Sequence, residues 1–516
     1  MINCTNMVAQ CLVHNEEDFR SMVRCMLRHT LRLTEHVLGL APQHPGRTAL
    51  GILLQEIGRL EELVDAYGAR TNQYWIPFRR GVAAVKLFSD VHYKLLHLKY
   101  SIPLYALMQV EEDVQQASST ALECSNRLLT TVLNTFVKLA RQYDLYSDFP
   151  AYEPRCVESE EVEWRLPNDL VRNTVHRKPD ETVVSLATAF LNEVEGSDFR
   201  GVYSALQQRG FCDCVPAVAC EKDFRRFEDV FHNLQALYDS YIGGTDLEQS
   251  NKMLSFLRGH ATVVYHLLEV ITGLTHHYER HMIGADSSYR ETFAEMQQDM
   301  SWIVTSYAME FAMLYATSAQ DLCRELIREY TENTTITLPA PAYRGFHVRP
   351  STLIARIVRH YGSEVTLELE DERCDASAPL EIIRVNERIN AIKRRTLGRA
   401  LVEMSDPNGQ KGDYPGALYE MLLALFRQKK LVIYSQDISL DDISVAEGES
   451  LGEYARRAVA QLLAEGAIDI RADIGVTFHG DKRALDDLKL LADSGYGEDQ
   501  FGNNIPLPQE LGYLKR

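Results

Sequence analysis

The chain has 516 residues with 45% hydrophobic residues, enough for several folded domains with substantial cores. Its 54 Lys/Arg against 73 Asp/Glu give a net charge of −19, which argues against duplex nucleic acid, a ligand that binds through phosphate neutralisation. No apolar run is long enough to cross a bilayer, no basic-then-apolar leader opens the chain, and the ten cysteines follow no regular spacing. These features predict a cytoplasmic protein with reduced thiols and no membrane insertion.

Residues 1–150 read as helical. Asn15 and the acidic residues after it open a run in which Met22, Val23, Met26, Leu27 and Leu31 recur at helical spacing. A break at 41–46 (Ala-Pro-Gln-His-Pro-Gly) precedes a second helix over 48–67, striped by Leu50, Leu53, Ile57 and Leu60. Helical pattern returns over 81–100 and again towards Tyr143. Residues 151–180 hold Pro154, Pro167 and Pro179 among many charges and read as an irregular connection. Residues 181–334 carry long helices over 221–241, 245–281 and 287–330, and bundle packing is expected.

Near residues 332–340 the pattern changes from helix to strand, and the charge divides there as well. Residues 335–516 hold 23 Lys/Arg against 28 Asp/Glu (net −5), leaving 31 against 45 in 1–334 (net −14). A β-like segment, Thr335 to Leu338, leads to Gly345-Phe346-His347-Val348-Arg349-Pro350-Ser351. Leu353, Ile354, Ile357, Val358 and Tyr361 then repeat with helical spacing, and Pro350 suits a first helical position. His347 therefore stands just before a helix N-terminus, where unpaired N–H groups and the helix dipole favour an anion. Arg349 adds a permanently charged donor fork. A histidine there can carry a phosphoryl group without a metal.

This stretch resembles the active-site motif of the histidine-containing phosphocarrier (HPr) family of the sugar phosphotransferase system, usually Gly-Leu-His-Ala-Arg-Pro. A strand-like 364–369 follows, 466–472 is similar to the family's last strand, and 484–498 is similar to its final helix and tail. The resemblance covers about the last third of the chain. It implies an α+β open-faced sandwich over 335–516, with a sub-domain inserted at about 395–460, fused to the all-α, bundle-like N-terminal region. It also implies a phosphocarrier or phosphorelay regulator rather than a stand-alone enzyme. Nδ1 of His347 would be the nucleophile, Arg349 would balance charge, and Pro350 and Ser351 at the helix start would help hold the phosphoryl oxygens. The implied partners are an enzyme I-like phosphoryl donor and an acceptor protein. No cofactor or metal is called for, and the absence of a Walker-type motif leaves no nucleotide site for self-phosphorylation.

The chain departs from the family in three places. The regulatory serine position falls at or near Ala378, beside Ser377. The second helix, from Leu380, is more charged than the family's docking helix. The insertion has no counterpart, and it is expected to contact the bundle, a partner, or a second copy in a homo-oligomer. Elsewhere, His276, His277 and His281 include an i, i+4 pair, but on a long helix a solvated polar face is the plainer reading. Cys212, Cys214 and Cys220 lack Cys-x-x-Cys pairs and read as loop thiols, and Arg225-Arg226 and Lys393-Arg394-Arg395 read as solvated helix faces. Two alternatives stay open: an HPr-like interaction scaffold that is not phosphorylated and whose helical region binds a protein partner, and a metal-using helical enzyme with a regulatory appendage.

Overall fold

The computed structural model describes residues 13–146, 179–283, 294, 296–404, 413–434, 440, 443–471 and 473–515; the connection expected over 151–180 lies almost wholly outside them. The chain is mostly helical with a small antiparallel sheet, and it divides into two compact units, Met1–Leu326 and Ile327–Arg516.

In the first unit, α1 (Glu16–Gly39) starts where the Asn15 side chain accepts from the Asp18 N–H, with three carboxylates in the first turn facing the positive helix end. Helices α2 (Arg47–Ala66), α3 (Ile76–Ser101) and α4 (Val114–Gln142) follow, then α5 (Pro179–Glu195), α6 (Ser197–Arg209), α7 (Glu221–Tyr241) and α8 (Lys252–His277). Helix α9 (Met296–Ser301) passes through a π-helical stretch, Trp302–Met309, into α10 (Glu310–Ser318), and α11 (Gln320–Tyr330) comes next. Residues 1–150 and 181–326 are not separate bodies. Helix α3 packs on α2, α4 and α8, and α8 also packs on α7 and α10. Helix α8 is apolar nearly all round, with Ala261, Val263, Val264, Leu267, Leu268 and Ile271 buried, as a central helix must be.

The second unit contains two cores. Strands β1 (Asn333–Pro339), β2 (Val365–Leu369), β3 (Glu372–Asp375) and β6 (Gly475–Asp481) form an antiparallel sheet in the order β1-β6-β2-β3. Leu338, Val365, Leu367, Leu369, Val476 and Phe478 point inward by strand alternation. They meet α12 (Val348–Tyr361), the first half of α13 (Pro379–Met404) and α16 (Lys482–Asp493). The opposite face is polar: Thr335 bonds His479 at 2.8 Å, and Thr337 bonds Thr477 at 3.1 Å. An antiparallel sheet with one solvated face shows this alternation.

The second core belongs to the inserted segment. There α14 (Tyr414–Arg427) and α15 (Leu451–Ala464) pack with the two-stranded sheet of β4 (Leu431–Ile433) and β5 (Ile468–Ile470). This corrects the strand reading of 466–472. Ile468 and Ile470 pair with β4, not with the four-stranded sheet, whose closing strand is β6. All three residues of β5 are buried, whereas β6 alternates as a strand with one wet face does. The insertion also begins differently, because α13 runs on without a break and uses Leu397 and Leu401 in the second core.

Candidate functional site

The turn between β1 and α12 is held by one side chain from α13. Arg344 and Gly345 have successive positive φ values of 52° and 62°. Asn386 clamps them: its Oδ1 accepts from the Phe346 N–H at 2.9 Å, and its Nδ2 donates to the Arg344 carbonyl at 3.0 Å. A Cβ at position 345 would stand 2.1 Å from Asn386 Oδ1, so the left-handed conformation and the close approach both require glycine. Phe346 is fully buried, its ring edge-on to Tyr496, and anchors the loop in the sheet core.

His347 is the N-cap of α12, with extended backbone and its N–H donating to the Gly345 carbonyl at 2.8 Å. Its Nε2 lies 2.7 Å from Oε1 of Glu498, a carboxylate 5% exposed in the chain's tail. A carboxylate without a proton can only accept, so in a neutral ring this contact selects the tautomer with the hydrogen on Nε2 and the lone pair on Nδ1. The Tyr343 ring packs edge-on to the imidazole at 5.5 Å, and the histidine side chain keeps 27% exposure.

The other predicted residues cluster here in different roles. Helix α12 starts at Val348, so Pro350 is its third residue rather than its first. The proline still lies in the first turn, where an N–H has no helical partner to lose. Val348 and Arg349 precede it in the same turn, where backbone N–H groups likewise lack helical partners. Arg349 reaches the tail, where a Cβ on Gly497 would stand 3.6 Å from its Nη2. Pro350 and Ser351 are buried. The Ser351 hydroxyl donates to the Phe346 carbonyl at 3.0 Å and its N–H to the His347 carbonyl at 3.2 Å, so both groups brace the loop.

The chain stands without a match. No family model, no curated protein and no solved structure matches it.

The inserted segment reaches the site by two routes that the sequence did not reveal. Lys393 of α13 donates to both oxygens of Asp469 in β5 at 3.1 Å, the pair being 5% and 7% exposed. Lys393 is thus buried, unlike its exposed neighbours Arg394 and Arg395, against the reading of all three as a solvated face. Asp469 Oδ2 also accepts from the Arg344 N–H at 3.1 Å, tying β5 to the histidine loop. Tyr434, just after β4, packs edge-on to Tyr343 at 5.2 Å, and burial pushes its hydroxyl pKa up. Between α13 and the insertion lies a cleft of about 410 Å³ whose walls include His347, Arg344, Asn390, Lys393, Arg394 and Gly466. Glu498 lies 151 positions from His347, and no local pattern links them.

The remaining constellations have structural partners. His276 Nδ1 lies 3.0 Å from Glu221, and His277 is fully buried with its ring edge-on to Phe88 at 4.8 Å. His277 is therefore a core side chain, not part of a solvated face. Burial drives its pKa well below the usual histidine value and lowers that of His281 to about 4. Among the described residues no group of three His, Cys, Asp or Glu could hold a metal ion. Cys214 is buried and donates to the Ala205 carbonyl, and Cys220 caps α7 through Asp223. Ser377 bonds Asp375 at 2.7 Å in the turn before α13. Among the described residues no helix is long and apolar enough to cross a membrane.

Proposed function

We propose that the second unit is a phosphohistidine carrier of the HPr type, with His347 as the residue that takes and passes the phosphoryl group. The observation that carries the reading is the 2.7 Å contact between Nε2 and buried Glu498, which leaves the lone pair on Nδ1, the nucleophilic nitrogen implied by the family resemblance. The sheet order β1-β6-β2-β3, with helices on one face, lends support because it is that of an open-faced sandwich once the insertion is set aside.

In the transfer step, the Nδ1 lone pair forms a bond to phosphorus as the donor's N–P bond breaks, and that electron pair returns to the donor's imidazole. The Val348 and Arg349 N–H groups at the helix start meet the phosphoryl oxygens, with the dipole behind them. Arg349 balances the added negative charge. Glu498 keeps the proton on Nε2 and stabilises the positive charge the ring gains as the N–P bond forms. Tyr343, Asn386 and the Ser351 hydroxyl hold the ring and loop in place.

The test is incubation with phosphoenolpyruvate and an enzyme I-like donor, read by intact mass, followed by phosphopeptide mapping in mild alkali. One phosphoryl group is expected on the peptide containing His347, labile in acid and stable in base. The alternative is a scaffold that is never phosphorylated and whose helical region binds a protein partner, and in that region Tyr67 and Leu104 are 51% and 55% exposed. An unmodified chain with every donor tried would leave that reading in place.

A further inference from the structure

Helix α13 links the two cores of the second unit, and along its exposed side stand Arg394, Arg395 and Arg399. Arg456 of α15 joins them, and the four line one open hollow of about 570 Å³ with Gly398 and a single carboxylate, Glu403. Among the described residues that line it, four arginines against one glutamate give the hollow +3 in a chain whose net charge is −19. Elsewhere in this unit several surface arginines are ion-paired, Arg373 with Glu368, Arg388 with Glu370 and Arg457 with Glu449, while Arg359 and Arg471 bond neutral acceptors. The hollow differs in gathering four unpaired arginines in one place. Among the described residues, none of the four hollow arginines has a carboxylate oxygen within salt-bridge distance.

Two of them are steadied from behind. The Nε atoms of Arg395 and Arg456 donate to carbonyls of their own helices, Ala391 at 3.4 Å and Gly452 at 3.2 Å. These bonds use Nε alone, and the terminal amino groups take no part in them. Gathering like charges in one hollow costs stability through self-repulsion, which Glu453 eases at Arg456, and carboxylates brought by a partner would relieve the rest. Arg394 also lines the cleft onto which His347 opens, so the hollow adjoins the proposed reactive site.

We infer that this arginine hollow docks the acidic face of a protein partner, the one that exchanges the phosphoryl group with His347; the role of that partner rests on the phosphocarrier reading. Planar guanidinium forks pair well with Asp and Glu carboxylates, and the position of the hollow would orient the partner over the cleft. Duplex nucleic acid fits less well, because the rest of the chain repels polyphosphate. Contacts of this rim type govern encounter and its salt dependence rather than the chemical step.

The experiment compares the full chain with the variant R394Q/R395Q/R399Q/R456Q, whose exposed substitutions leave both cores intact, as circular dichroism will verify. Fluorescein-labelled oligoglutamate and a short DNA duplex are titrated at low and physiological salt, and phosphoramidate serves as a small phosphoryl donor that needs no docking surface. The wild type is expected to bind oligoglutamate, more weakly as salt rises, and the variant to bind it about 10- to 100-fold less. Phosphoramidate is expected to label His347 equally in both. Oligoglutamate binding that is absent, or equal in the two proteins, overturns the docking surface, and so does tighter arginine-dependent binding of the duplex. If phosphoramidate labels His347 while the docking test fails, the carrier survives alone. If neither protein is labelled while arginine-dependent oligoglutamate binding holds, the surface stands and the carrier reading falls.

Discussion

Two buried histidines of the helical unit and His347 of the α+β unit are placed in opposite ways. In the first, His92 and His277 lie in the core, His92 bonded to Ser125 and His277 packed on Phe88. Burial holds both neutral, with His92 lowered to about 3, so they behave as shaped polar core residues. In the second, His347 stands on a turn with one nitrogen held by Glu498 and a helix start beside it. The residue type is the same, and the difference lies in water access and in a carboxylate that chooses the tautomer.

The sharpest break of that comparison is to remove the half-buried histidine of the turn. His347→Ala should abolish phosphorylation while moving the unfolding midpoint little, since the side chain lies outside both cores; intact mass and thermal unfolding together check this. A large loss of stability would mean that His347 is structural, like His277.

Next come the groups that set its chemistry. Arg349→Ala should slow phosphoryl transfer by about 10- to 1000-fold, the range of one electrostatic donor. Glu498→Gln should slow it by about 10- to 100-fold, and the amide should let the ring proton distribute between Nδ1 and Nε2. Single-turnover rates and ¹⁵N NMR of the imidazole provide the readouts, and an unchanged tautomer would remove Glu498 from the mechanism.

The tie between insertion and loop can be cut at Asp469. Asp469→Ala strands the buried Lys393 charge and should cost about 3–5 kcal/mol, measured by urea unfolding. Replacing both partners with apolar residues of similar volume should restore most of that loss. A double variant as unstable as the single one would show that the Arg344 and Ile470 N–H bonds to Asp469, not the ion pair, hold the two parts together.

The smallest effect concerns pH in the helical unit. The folded pKa of His92 is depressed by burial, with His44 adding to it, while the unfolded chain protonates near 6.5. The unfolded state therefore binds more protons, and stability is full above about pH 6.5 and declines as the pH falls towards 3. At pH 5 the loss from His92 should be about 2 kcal/mol. Hydrogen-exchange protection of the 76–101 helix at pH 7 and pH 5 reads it, with the intrinsic exchange rate corrected. His92→Asn should flatten the pH response, and an unaltered slope would assign it to other groups.

Much of this was legible in local pattern. Helical spacing of apolar side chains marks α1, α2 and α12, because a core-facing stripe at period 3.6 needs no knowledge of its partner. His347, Arg349, Pro350 and Ser351 stand together in any conformation, so their cluster at the start of α12 could be read directly. Long-range packing settled what short-range pattern could not. It alone brought Glu498, Asn386 and Asp469 to the loop, since the contacts that join them span 40 to 151 positions. It also assigned β5 to the insertion and β6 to the main sheet, because both runs are apolar enough for either place and only pairing distinguishes them. Burial then separated Lys393 from its arginine neighbours, a choice made by which side of α13 meets Asp469.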